Sequence, residues 1–169
     1  MPKSDRSKRI LTIDGANGVD TPVRGGSSLA REHGIVVAKQ ILIYPMLDDR
    51  TVTAPDDPAA TPVTWTYDDN FTAWHAALGA QAAATGVSPL AAPARLTDHA
   101  KLAAAYLEVG DVDILCAETV TYASALAAAA VPIELHVHRG APHGWDRLAP
   151  QAELTKRTLT QRLHAIAAL

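Results

Sequence analysis

Residues 103–144 read AAAYLEVGDVDILCAETVTYASALAAAAVPIELHVHRGAPHG, and this stretch decides the fold class. Residues 103–109 form a short apolar run that predicts a strand, and Gly110, Asp111 and Asp113 follow it as turn formers. Residues 117–130 predict an alanine-rich helix, ended by Val131 and Pro132. Residues 133–138 predict a second strand, residues 139–144 a loop, and residues 150–169 an amphipathic final helix. Strand, helix, strand, helix is a run of βα units, which implies parallel strands joined by right-handed crossovers. The expected class is therefore α/β, with a mostly parallel sheet and flanking helices.

Working outward from this stretch, residues 35–44 are apolar and β-branched apart from Lys39 and Gln40. Such a nearly continuous run fits a strand of a parallel sheet covered on both faces. Residues 9–13 predict a further strand, ended by the turn formers of Asp14-Gly-Ala-Asn-Gly18. Pro22, Gly25 and Gly26 argue against a stable helix over 19–28. Residues 29–33 predict one helical turn closed by Gly34. Residues 45–64 are rich in Pro, Asp and Thr and predict an irregular surface excursion. Residues 67–84 predict a helix with Trp74, Ala77 and Leu78 at helical spacing and a break at Gly79; residues 86–100 predict a loop.

The chain has 169 residues, the length of one domain or of half a larger one. Its 15 Lys+Arg and 18 Asp+Glu give a net charge of −3. With no basic cluster, nucleic acid is not an expected partner. Hydrophobic residues at 48% and charged residues at 20% suit a packed core rather than disorder. A single cysteine, Cys116, excludes an internal disulfide framework and any multi-cysteine metal site. No apolar run approaches the roughly 18 residues of a membrane span. The basic start MPKSDRSKR precedes an apolar run, 10–13, too short for a signal peptide, so a cytoplasmic protein is expected.

Functional groups in parallel α/β sheets gather in loops at the carboxyl ends of strands. Two such loops carry candidate chemistry: one holds Asp111 and Asp113, the other His143. They are separated by one helix and one strand, so adjacent parallel strands place them side by side. A carboxylate beside an imidazole is the orienting half of a nucleophile–His–Asp system. Either Asp111 or Asp113 could equally be a helix N-cap. His136 and His138 alternate along one strand and share a face, but no third ligand stands near them, so no metal is expected. Cys116 reads as a small buried thiol rather than a nucleophile. Gly25-Gly26-Ser27-Ser28 lacks the spacing and lysine of a phosphate-binding loop, and no cofactor is expected.

Four blocks in sequence resemble the α/β-hydrolase carboxylesterases of the hormone-sensitive-lipase-like group. They are Gln40-Ile-Leu-Ile-Tyr-Pro-Met-Leu-Asp-Asp-Arg50, Val87-Ser-Pro-Leu-Ala-Ala-Pro-Ala-Arg95, Tyr106-Leu-Glu-Val-Gly-Asp-Val-Asp-Ile-Leu115 and Val131-Pro-Ile-Glu-Leu-His-Val-His-Arg-Gly-Ala-Pro-His-Gly-Trp-Asp146. The resemblance covers about residues 29–169 and implies that Asp113 is the triad acid and His143 the triad base. It implies a small acyl ester as substrate. It also places residues 51–84 near an acyl-binding pocket and cap, with Trp74 as either a wall of that pocket or a core residue. In such hydrolases the last strand and helix often lie at an edge and pair with a second subunit, so a homodimer is an expected assembly.

The N-terminal side departs from the family pattern. A nucleophile elbow, Gly-x-Ser-x-Gly, is expected where Asp14-Gly-Ala-Asn-Gly18 stands, and its serine slot falls on Ala16. A second register puts Arg24 in that slot, and Ser27 is followed by Leu29 where the elbow needs glycine. The His-Gly-Gly-Gly type oxyanion loop has no counterpart. The nucleophile is thus unassigned, with the reach of Ser27 and Ser28 left open. Residues 1–28 are expected as a degenerate N-terminal segment and residues 29–169 as the C-terminal part of an α/β-hydrolase domain, a partial fold. Two functions follow from the resemblance: a carboxylic ester hydrolase acting through an acyl-enzyme, or an inactive pseudoenzyme or half-domain that needs an N-terminal partner.

Overall fold

A computed structural model describes residues 9–14, 26–52 and 64–168. In chain order these form β1 (Arg9–Asp14), α1 (Gly26–Glu32), β2 (Val37–Ile43), α2 (Tyr67–Leu78), β3 (Ala104–Gly110), α3 (Cys116–Ala128), β4 (Ile133–His138), α4 (Trp145–Leu148) and α5 (Glu153–Ala167). Short 3-10 turns occur at Gly79–Gln81 and Pro93–Arg95. The strands make one sheet in the order β1-β2-β3-β4, and every pairing is parallel. The α/β class and the run of βα units are as the sequence predicts.

The two central strands are apolar because they are covered on both faces. Leu42 and Leu107 pack with Tyr122, Ala123 and Leu126 of α3. Ile41, Ile43 and Tyr106 pack on the opposite side with Trp145 and Ala165. β4 ends the sheet order and is more exposed, with Ile133 and Val137 open to solvent. Parallel pairing brings all the carboxyl ends to one edge: Asp14 pairs with Ile43, Ile43 with Glu108, and Gly110 with His138.

Several local expectations are corrected. α1 starts at Gly26, within the stretch expected to be non-helical. Its start follows Gly25, so neither Pro22 nor Gly25 interrupts it, and Gly34 closes it with φ +64. α2 ends at Leu78 because Gly79 takes φ +60. Its start is a capping box: the Thr66 hydroxyl accepts from the Asp69 amide at 3.1 Å, and the Thr66 amide donates to Asp69 Oδ2 at 2.9 Å. The expected surface excursion begins inside the protein, since Met46, Leu47 and Asp49 are buried; residues 53–63 lie outside the described residues. The final helix starts at Glu153 rather than residue 150, after the unexpected single turn α4.

No helix among the described residues is long and apolar enough to cross a membrane.

Candidate active site

Gly110 ends β3 where the chain must turn beneath the loop that follows β4. A Cβ at this position would lie 1.8 Å from the carbonyl oxygen of Ala141, so only glycine admits the crossing. The Asp111 amide donates to the His138 carbonyl at 3.1 Å. Its carboxylate in turn accepts the Gly140 amide at 2.6 Å, tying the two loops together. Asp113 follows with both oxygens engaged. Oδ1 accepts the Leu115 amide at 3.0 Å at the entry to α3, and Oδ2 lies 2.8 Å from His143 Nδ1.

Asp113 is thus the carboxylate that meets the imidazole, while Asp111 fastens backbone. A carboxylate only accepts, so His143 Nδ1 is the donor in this contact and Nε2 is the nitrogen on the other side of the ring. Both side chains are buried, His143 at 8% and Asp113 at 0% exposed. Burial excludes competing water from the bond and strengthens it.

Three residues with no assigned role in the sequence stand beside His143. The Tyr44 ring stands edge-on to the imidazole at 4.6 Å, and the Trp65 ring lies tilted at 5.5 Å. The Thr64 hydroxyl donates to the His143 carbonyl at 2.8 Å. Trp65 is itself held by Asn70, whose Oδ1 accepts the indole N–H at 3.0 Å. Tyr44 adopts φ +36, a conformation rare for a tyrosine. Tyr44-Pro45 stood inside a family block, which was a usable signal; Trp65 carried none. Trp74, the expected alternative between wall and core, is fully buried with Met46, Val87 and Leu115, which is the core reading.

The hydroxyls left open as nucleophiles lie at the other end of the sheet. Ser27 Oγ accepts the Ala103 amide at 3.0 Å, just before β3 begins. Ser28 Oγ accepts from Arg31, which also donates to the carbonyls of Asp98 and Ala100. Asp113 follows the far end of β3, a strand of seven residues spanning roughly 20 Å. Neither serine reaches His143 in this arrangement. Ala16, Gly18 and Arg24 lie outside the described residues.

The remaining candidates stand apart from the Asp–His pair. His136 and His138 stack with centroids 5.9 Å apart, and His136 Nε2 lies 2.8 Å from Glu134. Burial, with the positive charges of His136, Arg157 and Arg162 adding to it, pushes His138 down to about 4. Among the described residues no group of three His, Cys, Asp or Glu side chains is arranged to hold a metal. Burial and the nearby Asp113 and Asp111 push the Cys116 thiol up, which disfavours its thiolate.

The sequence profile of the alpha/beta hydrolase fold matches residues 26–147, which is most of the chain. The chain belongs to the α/β-hydrolase fold family. Among solved structures this hydrolase-family chain is similar to a bacterial heroin esterase, with 32% identity and a TM-score of 0.71; the match covers 84% of this chain and 46% of that one. It is also similar to the esterase LipW from Mycobacterium marinum, with 28% identity and a TM-score of 0.73, over 85% of this chain and 45% of that one. A hormone-sensitive lipase from a metagenome library shares the fold at 20% identity and a TM-score of 0.67, over 84% and 49% of the two chains. The present chain therefore spans about half the length of these hydrolases. No curated protein sequence matches it.

Proposed function

We propose that this chain belongs to a carboxylic ester hydrolase working through an acyl-enzyme, with His143 as the base and Asp113 as the acid that orients it. The observation that carries this reading is the buried 2.8 Å contact between Asp113 Oδ2 and His143 Nδ1 at the carboxyl end of the sheet. In the reaction, a nucleophile hydroxyl gives its proton to His143 Nε2 as its oxygen bonds to the ester carbonyl carbon. The imidazolium, stabilised by Asp113, then protonates the leaving alcohol. Water repeats the sequence on the acyl-enzyme and releases the carboxylic acid. The substrate class is a small acyl ester, and no cofactor takes part.

The nucleophile is unassigned, and that favours a second reading: an inactive scaffold, or a half-domain completed by an N-terminal partner that supplies the elbow serine and oxyanion donors. Ala16 in the serine slot supports it, as do Ser27 and Ser28 at the opposite end of the sheet. Residues 29–169 are then the C-terminal part of the catalytic domain. A cytoplasmic location belongs to either version. So does a homodimer through β4 and α5, where Val137, Leu159 and Leu163 are exposed.

Treating the folded protein with a fluorophosphonate probe and mapping the adduct by mass spectrometry tests the choice. The hydrolase reading expects one labelled hydroxyl, with labelling abolished in His143→Ala and slowed about 10⁴-fold in Asp113→Asn, as carboxylate removal does in a comparable triad. Absence of any adduct on folded protein sinks it for the isolated chain. Labelling that appears only with a co-expressed N-terminal half of an esterase domain selects the half-domain.

A further inference from the structure

We infer that Asp146 is a positioning residue for His143, joining Arg162 to the Tyr44 hydroxyl and so holding the ring against which the imidazole rests. The inference deepens the reading of His143 as the base and rests on it. Asp146 lies three residues after His143, in the single turn of α4. Its Oδ2 accepts Arg162 Nη1 at 2.6 Å, and its Oδ1 accepts the Tyr44 hydroxyl at 3.2 Å.

The chain of contacts ends on an immovable point. Glu108 is fully buried in β3, and its Oε1 accepts Arg162 Nε at 2.7 Å as well as Nη2. Its other oxygen accepts the Tyr106 hydroxyl at 2.5 Å. The sheet therefore fixes Glu108, Glu108 fixes the guanidinium, and the guanidinium fixes Asp146. Arg suits this place because its planar fork serves two carboxylates at once and stays charged when buried.

Tyr44 needs such a tether. Its φ of +36 is held only if the surroundings over-determine it. The Tyr44 amide is fastened to β3 as well, donating to the Glu108 carbonyl at 2.7 Å. Glu108 thus anchors Tyr44 twice, through its own backbone and through Arg162 and Asp146. With the phenol set, its ring meets both His143 at 4.6 Å and Trp145 at 5.3 Å. An ion pair that merely stitched α4 to α5 would not require the Tyr44 hydroxyl or the bent backbone that delivers it.

The test reads the imidazole directly. Long-range 1H–15N NMR of the labelled full chain reports which His143 nitrogen carries the proton and whether the ring has one environment. The wild type is expected to hold the proton on Nδ1 alone. Asp146→Asn, with its backbone amide spectrum retained, is expected to shift or broaden the His143 signals toward a mixture of tautomers, and Tyr44→Phe to do so by a smaller amount. Arg162→Lys is expected to fall between wild type and Asp146→Asn. Wild-type His143 signals in folded Asp146→Asn and Tyr44→Phe, or a wild type without the Nδ1 proton, overturn the inference. Should Asp146→Asn fail to fold, Tyr44→Phe decides by the same signals. No turnover is needed, so a protein unlabelled by the fluorophosphonate but responsive in these spectra separates failure of the hydrolase reading from failure of this one.

Discussion

Gly110 and Ala141 approach so closely that a Cβ on the first would lie 1.8 Å from the carbonyl oxygen of the second. Both atoms nearest that position, the Ala141 oxygen and carbon, are backbone, so no side-chain rotation relieves the clash. Gly110→Ala must therefore push the loop carrying His143 off the end of β3. The expected cost is about 3 kcal/mol, at the upper end of the overpacking range, read as a lower urea midpoint at unchanged m-value. Because the same loop carries His143, the variant is also expected to lose the Asp113–His143 bond. A Gly110→Ala protein of wild-type stability would show that the two loops separate freely.

A second expectation concerns the buried ion pair of Asp49 and Arg95. Asp49 is fully buried and accepts Arg95 Nε at 2.5 Å and Nη2 at 2.9 Å, with the Ala83 amide at 2.8 Å. Arg95→Met leaves that carboxylate without its countercharge. Removing one partner of a buried pair costs about 3–5 kcal/mol. The double variant Arg95→Met/Asp49→Leu should recover part of the loss, because it buries no uncompensated charge. Chemical denaturation of both variants checks this, and a double variant less stable than the single one would contradict it.

The sequence made some of this legible and hid the rest for physical reasons. β4 begins and ends where the pattern places it, because Pro132 and Gly140 bracket a run of strand formers. The juxtaposition of the Asp113 and His143 loops follows from one parallel crossover, whose geometry is nearly invariant. Local signals failed where partners are remote in the chain. Leu47 packs in the core with Leu107 and Leu126 while its amide meets the Glu118 carboxylate, 71 residues away, and the buried Asp49 meets Arg95, 46 residues away. Helical spacing marked Trp74, which lies in the core, whereas nothing local marked Trp65, which packs against the same cluster and also faces His143. α4 is a single turn, too short for any hydrophobic period to show.

The proposed homodimer makes a third prediction. Leu159 and Leu163 are one turn apart on α5 and more than half exposed, at 52% and 57%. If they pack on a second copy beside β4, Leu163→Glu places a charge in an apolar contact and converts the dimer to monomer. Light scattering after size exclusion at equal loading reads the change. A wild type that is already monomeric at tens of micromolar removes this assembly.

The last prediction is a pH dependence set by two buried groups of opposite sign. Burial pushes the Glu118 carboxyl up to about 8, against the lowering effect of the Leu47 and Asp48 amides that donate to it. In the unfolded chain it titrates near the ordinary value of about 4.3. Between these values the native protein holds a proton that the unfolded chain lacks, so stability falls as pH rises through the window. His138 does the reverse: neutral in the fold down to about 4, it is protonated in the unfolded chain below about 6.5, so its contribution is lost as pH falls. From about pH 4.3 to 6.5 the two nearly cancel. From 6.5 to 8 only Glu118 acts, and stability should drop by about 2 kcal/mol, since one pKa unit corresponds to about 1.4 kcal/mol. Glu118→Gln keeps an oxygen to accept the Leu47 amide and has no proton to lose. Its denaturation midpoints should stay level from pH 6.5 to 8 and drop as pH falls below 6.5, where His138 is no longer offset. A wild type whose stability rises between pH 6.5 and 8 would mean that Glu118 is already ionised in the folded protein.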